Sequence, residues 1–161
     1  MKISFKQLNE IDEFEIIALM NNPLVRRQMP LAVGRFGVKE CAEFIAAKTR
    51  LWIEQGYGPW ALMVDDRFAG WGGLQPENAE PDLALVLHPA YWGLGKRFYQ
   101  AIIKSAFGEM GFESVTALLP PTRSRVKGLL RLGFTEDGVV MLDGHEFNRY
   151  RLMKCAKTVP A

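Results

Sequence analysis

The sequence predicts a mixed α+β (α/β) domain, a central sheet with helices on both faces. Two observations carry this. The predicted strands cluster into hairpins instead of alternating strictly with helices, which argues against a doubly wound sheet. A glycine-bearing turn then joins an apolar strand directly to an amphipathic helix between Asp82 and Gly111. The predicted order is β-α-α-β-β-β-α-β-α-β-β, filling residues 1–161 as one domain with no linker and no repeat.

Ile3-Ser4-Phe5-Lys6-Gln7-Leu8 alternates and reads as the first strand. Asn9 is the expected cap of a helix with Ile11, Phe14, Ile17 and Ala18 on its apolar face. Asn21-Asn22-Pro23 breaks that helix, and Leu24 to Met29 forms one further short turn before Pro30. Val38 to Gln55 is a helix with Cys41, Ile45 and Trp52 on one side and Gly56 as its stop. From Trp60 the period changes to two. Trp60–Val64 and Phe68–Leu74 flank Asp65-Asp66-Arg67 as a hairpin, and Gln75–Glu80 is a polar loop.

Leu83 to Leu87 is a buried strand, followed by His88-Pro89 and the turn Ala90 to Arg97. Phe98, Ile102, Ala106 and Met110 recur every four residues as the core face of the next helix. Glu113 to Leu119 is a strand ended by Pro120-Pro121. Thr122 is the expected cap of a helix reaching Leu132, with Gly133 as its stop. Phe134–Leu142 and Glu146–Met153 close the chain as a hairpin around Asp143-Gly144.

Composition narrows the function. A net charge of +2 with dispersed basic residues gives no nucleic-acid footprint. Cys41 and Cys155 have neither metal nor redox spacing, and His88 and His145 form no helical metal pair, so no metal is expected. The N-terminus lacks the apolar core of a signal peptide, and no apolar run approaches the ~20 residues of a membrane span. A cytoplasmic domain without membrane or nucleic-acid partners is the expectation. Gly93-Leu94-Gly95 has Phe98 where a dinucleotide fingerprint needs its third glycine, and there is no Walker-type Gly-Lys-Ser/Thr or Gly-x-Ser-x-Gly.

One local feature asks for an anion. Lys96 and Arg97 open a helix, where the macrodipole disfavours cations by roughly 0.3–1 kcal/mol each. A negatively charged ligand against the free N–H groups of that turn reconciles the pattern, as do two solvated cations.

Leu85-Val86-Leu87-His88-Pro89-Ala90-Tyr91-Trp92-Gly93-Leu94-Gly95-Lys96 resembles the acetyl-CoA-binding segment of GNAT N-acetyltransferases. Asn21-Asn22-Pro23-Leu24-Val25-Arg26-Arg27 and Leu129-Leu130-Arg131-Leu132-Gly133-Phe134 are similar to two further segments of the branch containing ribosomal-protein N-terminal acetyltransferases. The resemblance implies a mostly antiparallel sheet whose fourth strand splays from the fifth, with pantetheine bonding Leu85, Val86 and Leu87 like an added strand. It places the pyrophosphate on the turn Trp92, Gly93, Leu94, Gly95, Lys96 and Arg97, and the other end of the cofactor near Thr122 and Arg125.

The implied reaction is attack of a primary amine on the thioester of acetyl-CoA. Such amines are mostly protonated near neutral pH, so a base must act. Asp82, at the start of the fourth strand, is the first candidate, working through water, and Glu80 is the alternative. Leu129 stands where many relatives carry a tyrosine acid, leaving Ser124 or Tyr150 as substitutes. Arg97 stands where the family turn usually ends on a small residue. Those departures imply the alternatives, a CoA-binding or sensor domain without catalysis, or an interaction domain that has lost CoA. The acceptor is a protein N-terminus or a small-molecule amine, and a homodimer stays open.

Overall fold

In the computed structural model, residues 1–29, 34–122 and 126–155 are described. Seven strands form one sheet in the order β1-β2-β3-β4-β5-β7-β6. They are β1 (Ile3–Lys6), β2 (Pro59–Val64), β3 (Arg67–Glu77), β4 (Glu80–Leu87), β5 (Ser114–Leu119), β6 (Thr135–Leu142) and β7 (His145–Met153). All neighbours pair antiparallel except β4 and β5. The helices are α1 (Glu13–Asn21), α2 (Pro23–Arg26), α3 (Val38–Gln55), α4 (Gly95–Phe107) and α5 (Lys127–Arg131). The mixed sheet covered on both faces is found as predicted, and the order of elements differs only in that the short turn expected after Pro23 is a helix of its own, α2, giving three helices between β1 and β2.

The two layers follow from alternation along β2. Ala61 and Met63 point into a core with Ile16, Leu19 and Met20 of α1 and Cys41 of α3. Leu62 and Val64 point the other way, onto Phe98 of α4. Ile102 and Ala106 continue that second layer against Leu74 and Val115. Thus the spacing of four in α4 does become its buried face. α3 runs over the predicted Val38–Gln55 and ends at Gly56, whose φ of +78° is the left-handed stop expected there.

The structure differs from the sequence reading chiefly at three places. Asn9 lies in a short 3-10 turn, and Asp12 caps α1 instead, accepting from the Phe14 N–H at 2.9 Å. Packing against α3 and the sheet buries the face with Ile16, Leu19 and Met20 and leaves Phe14 64% exposed. Gln75–Glu80 is not a loop. β3 and β4 continue through it and turn on Asn78 and Ala79, both with positive φ, as a two-residue hairpin requires. Pro76 faces Pro81 in this ladder, a pairing that fits only where neither N–H would point at the partner strand. Finally, the last helix is only Lys127–Arg131. Thr122 sits exposed in a turn and Val126 holds the N-cap position of this helix, while Pro30 and Arg123, Ser124 and Arg125 lie outside the described residues.

The ladder between β4 and β5 is parallel, and among the described residues its register pairs Asp82 with Thr116 alone. Past that pair the strands separate. β3 supports β4 along its whole length, from Glu77 opposite Glu80 to Gly70 opposite Leu87. A Cβ at Gly72 would lie 2.7 Å from the Ala84 carbonyl oxygen, so glycine there lets the two backbones approach.

Candidate active site

A cavity of about 880 Å³ opens where β4 and β5 part, within the size range of small-molecule sites. Leu85, Val86 and Leu87 line one wall and Leu118, Leu119 and Pro120 the other. Its floor and far side come from α1, α3 and β3, through Met20, Phe44, Lys48, Trp71, Gln75 and Glu77. Because β4 has lost β5 as a partner here, its backbone groups on that edge are available to a ligand. One of them is taken: the Trp92 Nε1–H donates to the Leu87 carbonyl at 2.8 Å. The residues therefore fit an elongated ligand that bonds a strand edge, as the pantetheine of an acyl-CoA does.

Asp82 stands at the closed end of the cavity, only 7% exposed. Thr116 Oγ1 donates to its Oδ1 at 2.7 Å, across the one β4–β5 pair. Burial pushes the Asp82 carboxyl up to about 7. The Thr116 bond opposes that rise, and the charges of Glu77 and Glu80 add to it. A carboxyl poised there can take a proton near neutral pH.

Lys48 enters from α3. Its Nζ donates to Gln75 Oε1 at 2.7 Å and lies 5.3 Å from the Phe44 ring centre and 5.2 Å from that of Trp71. Burial lowers its ammonium below the usual lysine range, partly offset by Glu77, whose own carboxyl is raised by burial. Trp71 serves both the core and the cavity wall. It is 5% exposed, donates to Met20 Sδ at 3.4 Å, and borders the cavity beside Phe36. Tyr57 packs on Phe112 instead, and Trp52 and Trp60 pack on one another.

The remaining candidates separate. Glu80 is held by Arg151 through two bonds of 2.8 and 2.9 Å, which keep its carboxyl below the usual range. Arg151 also bonds Asp137 at 2.8 Å and Ser114 at 2.9 Å, so Glu80 belongs to a strap across β5 rather than to the cavity. Tyr150 is 4% exposed in a cluster with Tyr99, Ala117 and Phe134, away from the cavity lining. Ser124 and Arg125 lie outside the described residues.

In the turn, Trp92 and Gly95 border the cavity, while Leu94 packs into the core beneath it. The expected cradle from Trp92 to Arg97 is altered in detail. Residues Pro89–Leu94 form a 3-10 turn capped by His88, and the Gly95 N–H is already bonded to the Trp92 carbonyl. A Cβ on Gly93 would meet nothing within 4 Å. Arg97 turns away, its Nη1 donating to the Met1 carbonyl at 2.7 Å, which removes the steric objection to a large residue at that position. Lys96 lines a separate shallow hollow with Lys104 and Arg131.

Sequence reasoning missed Lys48, Thr116 and Gln75. Lys48 carried a signal: it continues the apolar spacing Cys41, Phe44, Ile45 and Trp52 of α3 as the lone cation on that stripe. Thr116 and Gln75 carried none, because only the register brings them beside Asp82.

Residues 3–135 match the family model described as an acetyltransferase (GNAT) domain. Among solved structures, the chain is similar to a GnaT-family acetyltransferase from Bordetella pertussis, with TM-score 0.70 and 20% identity over 94% of this chain and 95% of that one. It is similar to a ribosomal-protein-serine acetyltransferase, so described, from Vibrio cholerae, with TM-score 0.69 and 16% identity over 96% and 95% of the two chains. An aminoglycoside acetyltransferase in complex with coenzyme A superposes with TM-score 0.74 at 12% identity, covering 95% of each chain.

Proposed function

Because this chain belongs to the GNAT acetyltransferase family, we propose that it is an acetyl-CoA-dependent N-acetyltransferase acting directly on a primary amine. The observation that carries the reading is the buried Asp82 carboxyl at the closed end of the β4–β5 cleft. Acetyl-CoA brings the acyl group as an activated thioester. The edge of β4 from Leu85 to Leu87 holds the pantetheine, with an N–H of that edge placed for an oxyanion. The helix start at Gly95 and the turn before it lie nearest the phosphates. Asp82 receives the proton of the incoming ammonium, directly or through one water, while Thr116 fixes the carboxyl's orientation.

The acceptor is an amine with an apolar neighbour, since Met20, Phe36, Phe44 and Trp71 surround the space opposite β4. A protein N-terminus and a small-molecule amine both satisfy this. Leu129 packs in the core beside Tyr99 and Phe134, and Tyr150 is buried with it. That observation favours a second reading, a CoA-binding domain without turnover. Calorimetry with acetyl-CoA, followed by thiol release with a panel of amines and peptides, decides. Binding and release are expected. Binding without release for any amine leaves the second reading, and no heat at millimolar acetyl-CoA removes both.

A further inference from the structure

Lys48 is a cation inside the cavity whose direct contacts, Gln75, Phe44 and Trp71, are neutral, with the charge of Glu77 acting on it. Its Nζ is bonded to Gln75, which the register sets opposite Asp82, and it lies over Trp71, which the register sets opposite Val86. The ammonium therefore stands over β3 between Trp71 and Gln75, next to the segment of β4 from Asp82 to Val86 that lines the same cavity. The rings of Phe44 and Trp71 box it on the α3 side. Glu77 is the carboxylate whose charge acts on it, and Asp82 lines the same cavity. An external amine entering the cavity would meet the same surroundings: aromatic faces, an amide oxygen, and a carboxyl ready to take a proton.

We propose that Lys48 is itself an acceptor, acetylated within its own chain by the acyl-CoA bound along β4. The inference rests on the acyl-CoA reading of this cavity. The Lys48 ammonium passes one proton to the Asp82 carboxylate. The freed Nζ lone pair forms a bond to the acyl carbon, the C–S bond breaks, and its electron pair leaves on the CoA sulfur. The second proton lost from nitrogen neutralises that thiolate. The products are Nε-acetyl-Lys48, free CoA and a protonated Asp82 that returns its proton to solvent. The lowered pKa of Lys48 and the raised pKa of Asp82 narrow the gap that the first proton must cross. The acetylated side chain is neutral and longer, and it occupies the space opposite Asp82.

The test uses the full chain with acetyl-CoA and no amine acceptor. Intact mass and peptide sequencing follow the acetyl group, and calorimetry on the same preparation reports acetyl-CoA binding. Lys48 is expected to be labelled at least roughly tenfold faster than the exposed Lys39 and Lys104, and Asp82→Asn to slow Lys48 alone, by a factor in the general-base range. Lys48→Arg keeps the cation, and it should bind acetyl-CoA while losing the fast label. Binding without preferential label on Lys48 overturns the proposal and leaves the cofactor reading standing. Absence of binding overturns both.

Discussion

Asp82 titrates near 7 because burial outweighs the bond from Thr116, and the consequence differs for activity and for stability. As a base it must be ionised, so kcat/KM should rise with pH through about 7. Asp82→Asn should lower the rate by roughly 10²–10⁴-fold, leave acetyl-CoA affinity unchanged, and abolish that limb. For stability the sign is reversed. The folded carboxyl binds its proton more tightly than the unfolded one, whose value is 3.8. Its contribution is therefore complete below that value and is lost as pH rises through about 7. Wild type should lose on the order of a few kcal/mol over that window relative to Asp82→Asn, as measured by urea unfolding at both ends.

At this scale the sequence was partly legible. Asp82 was singled out by the family resemblance alone, and its burial against Thr116 is seen only in the fold. Lys48 could have been read, as the charge interrupting the α3 stripe. The bond between Glu80 and Arg151 was not legible because the two are distant in the chain, and only the fold brings them together. Tyr150 was misjudged because alternation on a strand does not say which face meets the core.

Among the elements, β4 is held on one side by a ladder and on the other by a strap. Arg151 reaches from β7 across β5 to Glu80, with Asp137 of β6 completing the set. Arg151→Leu leaves two carboxylates without their shared partner. The pairs are partly exposed, so solvent screening keeps the cost small, and it should be read as a modestly lowered midpoint in urea unfolding. The ladder side depends on glycine. A Cβ at Gly70 collides with the Val86 carbonyl and lies 2.9 Å from Leu87 Cα, both backbone groups that cannot swing aside. Gly70→Ala should cost about 1–3 kcal/mol and weaken acetyl-CoA binding by moving the cavity wall, the second effect checked by calorimetry.

Element boundaries were legible wherever a local device sets them. The α3 limits follow from its stripe and from Gly56, and the Asp143-Gly144 turn follows from residues that accept positive φ. They were illegible where two signals compete. Asn9 and Asp12 are equally good caps, and packing of Ile16 and Leu19 selects the second. Pro76 and Pro81 argue for a loop one at a time, yet as a facing pair they are accommodated in a strand.

For the whole molecule, the sheet is two packed halves, β1 to β4 and β5 to β6, meeting at the Asp82–Thr116 pair. A ligand lying between them adds contacts to both. At a hundred times its Kd, acetyl-CoA should stabilise the fold by ~2.7 kcal/mol. That corresponds to an upward Tm shift of about 5–10 °C for a chain of this size, visible in a thermal melt. Free CoA should give a shift of the same sign. The overall plan was readable because hairpins and amphipathic helices are written locally. The separation of β4 from β5 was not, since it is a property of two strands more than thirty residues apart in register; only the family resemblance pointed to it.

Each half-sheet is also one unbroken length of chain. The strands β1 to β4 and the helix α4 precede Gly111, and β5, β6 and β7 follow it. A cut in the turn at Gly111 would divide the polypeptide along the line of the cleft between β4 and β5. The two pieces would share one strand pair, the Arg151 strap and the packing of α4. Such a protein is suited to fragment complementation, with the small molecule between the halves acting as the glue that reports their reunion.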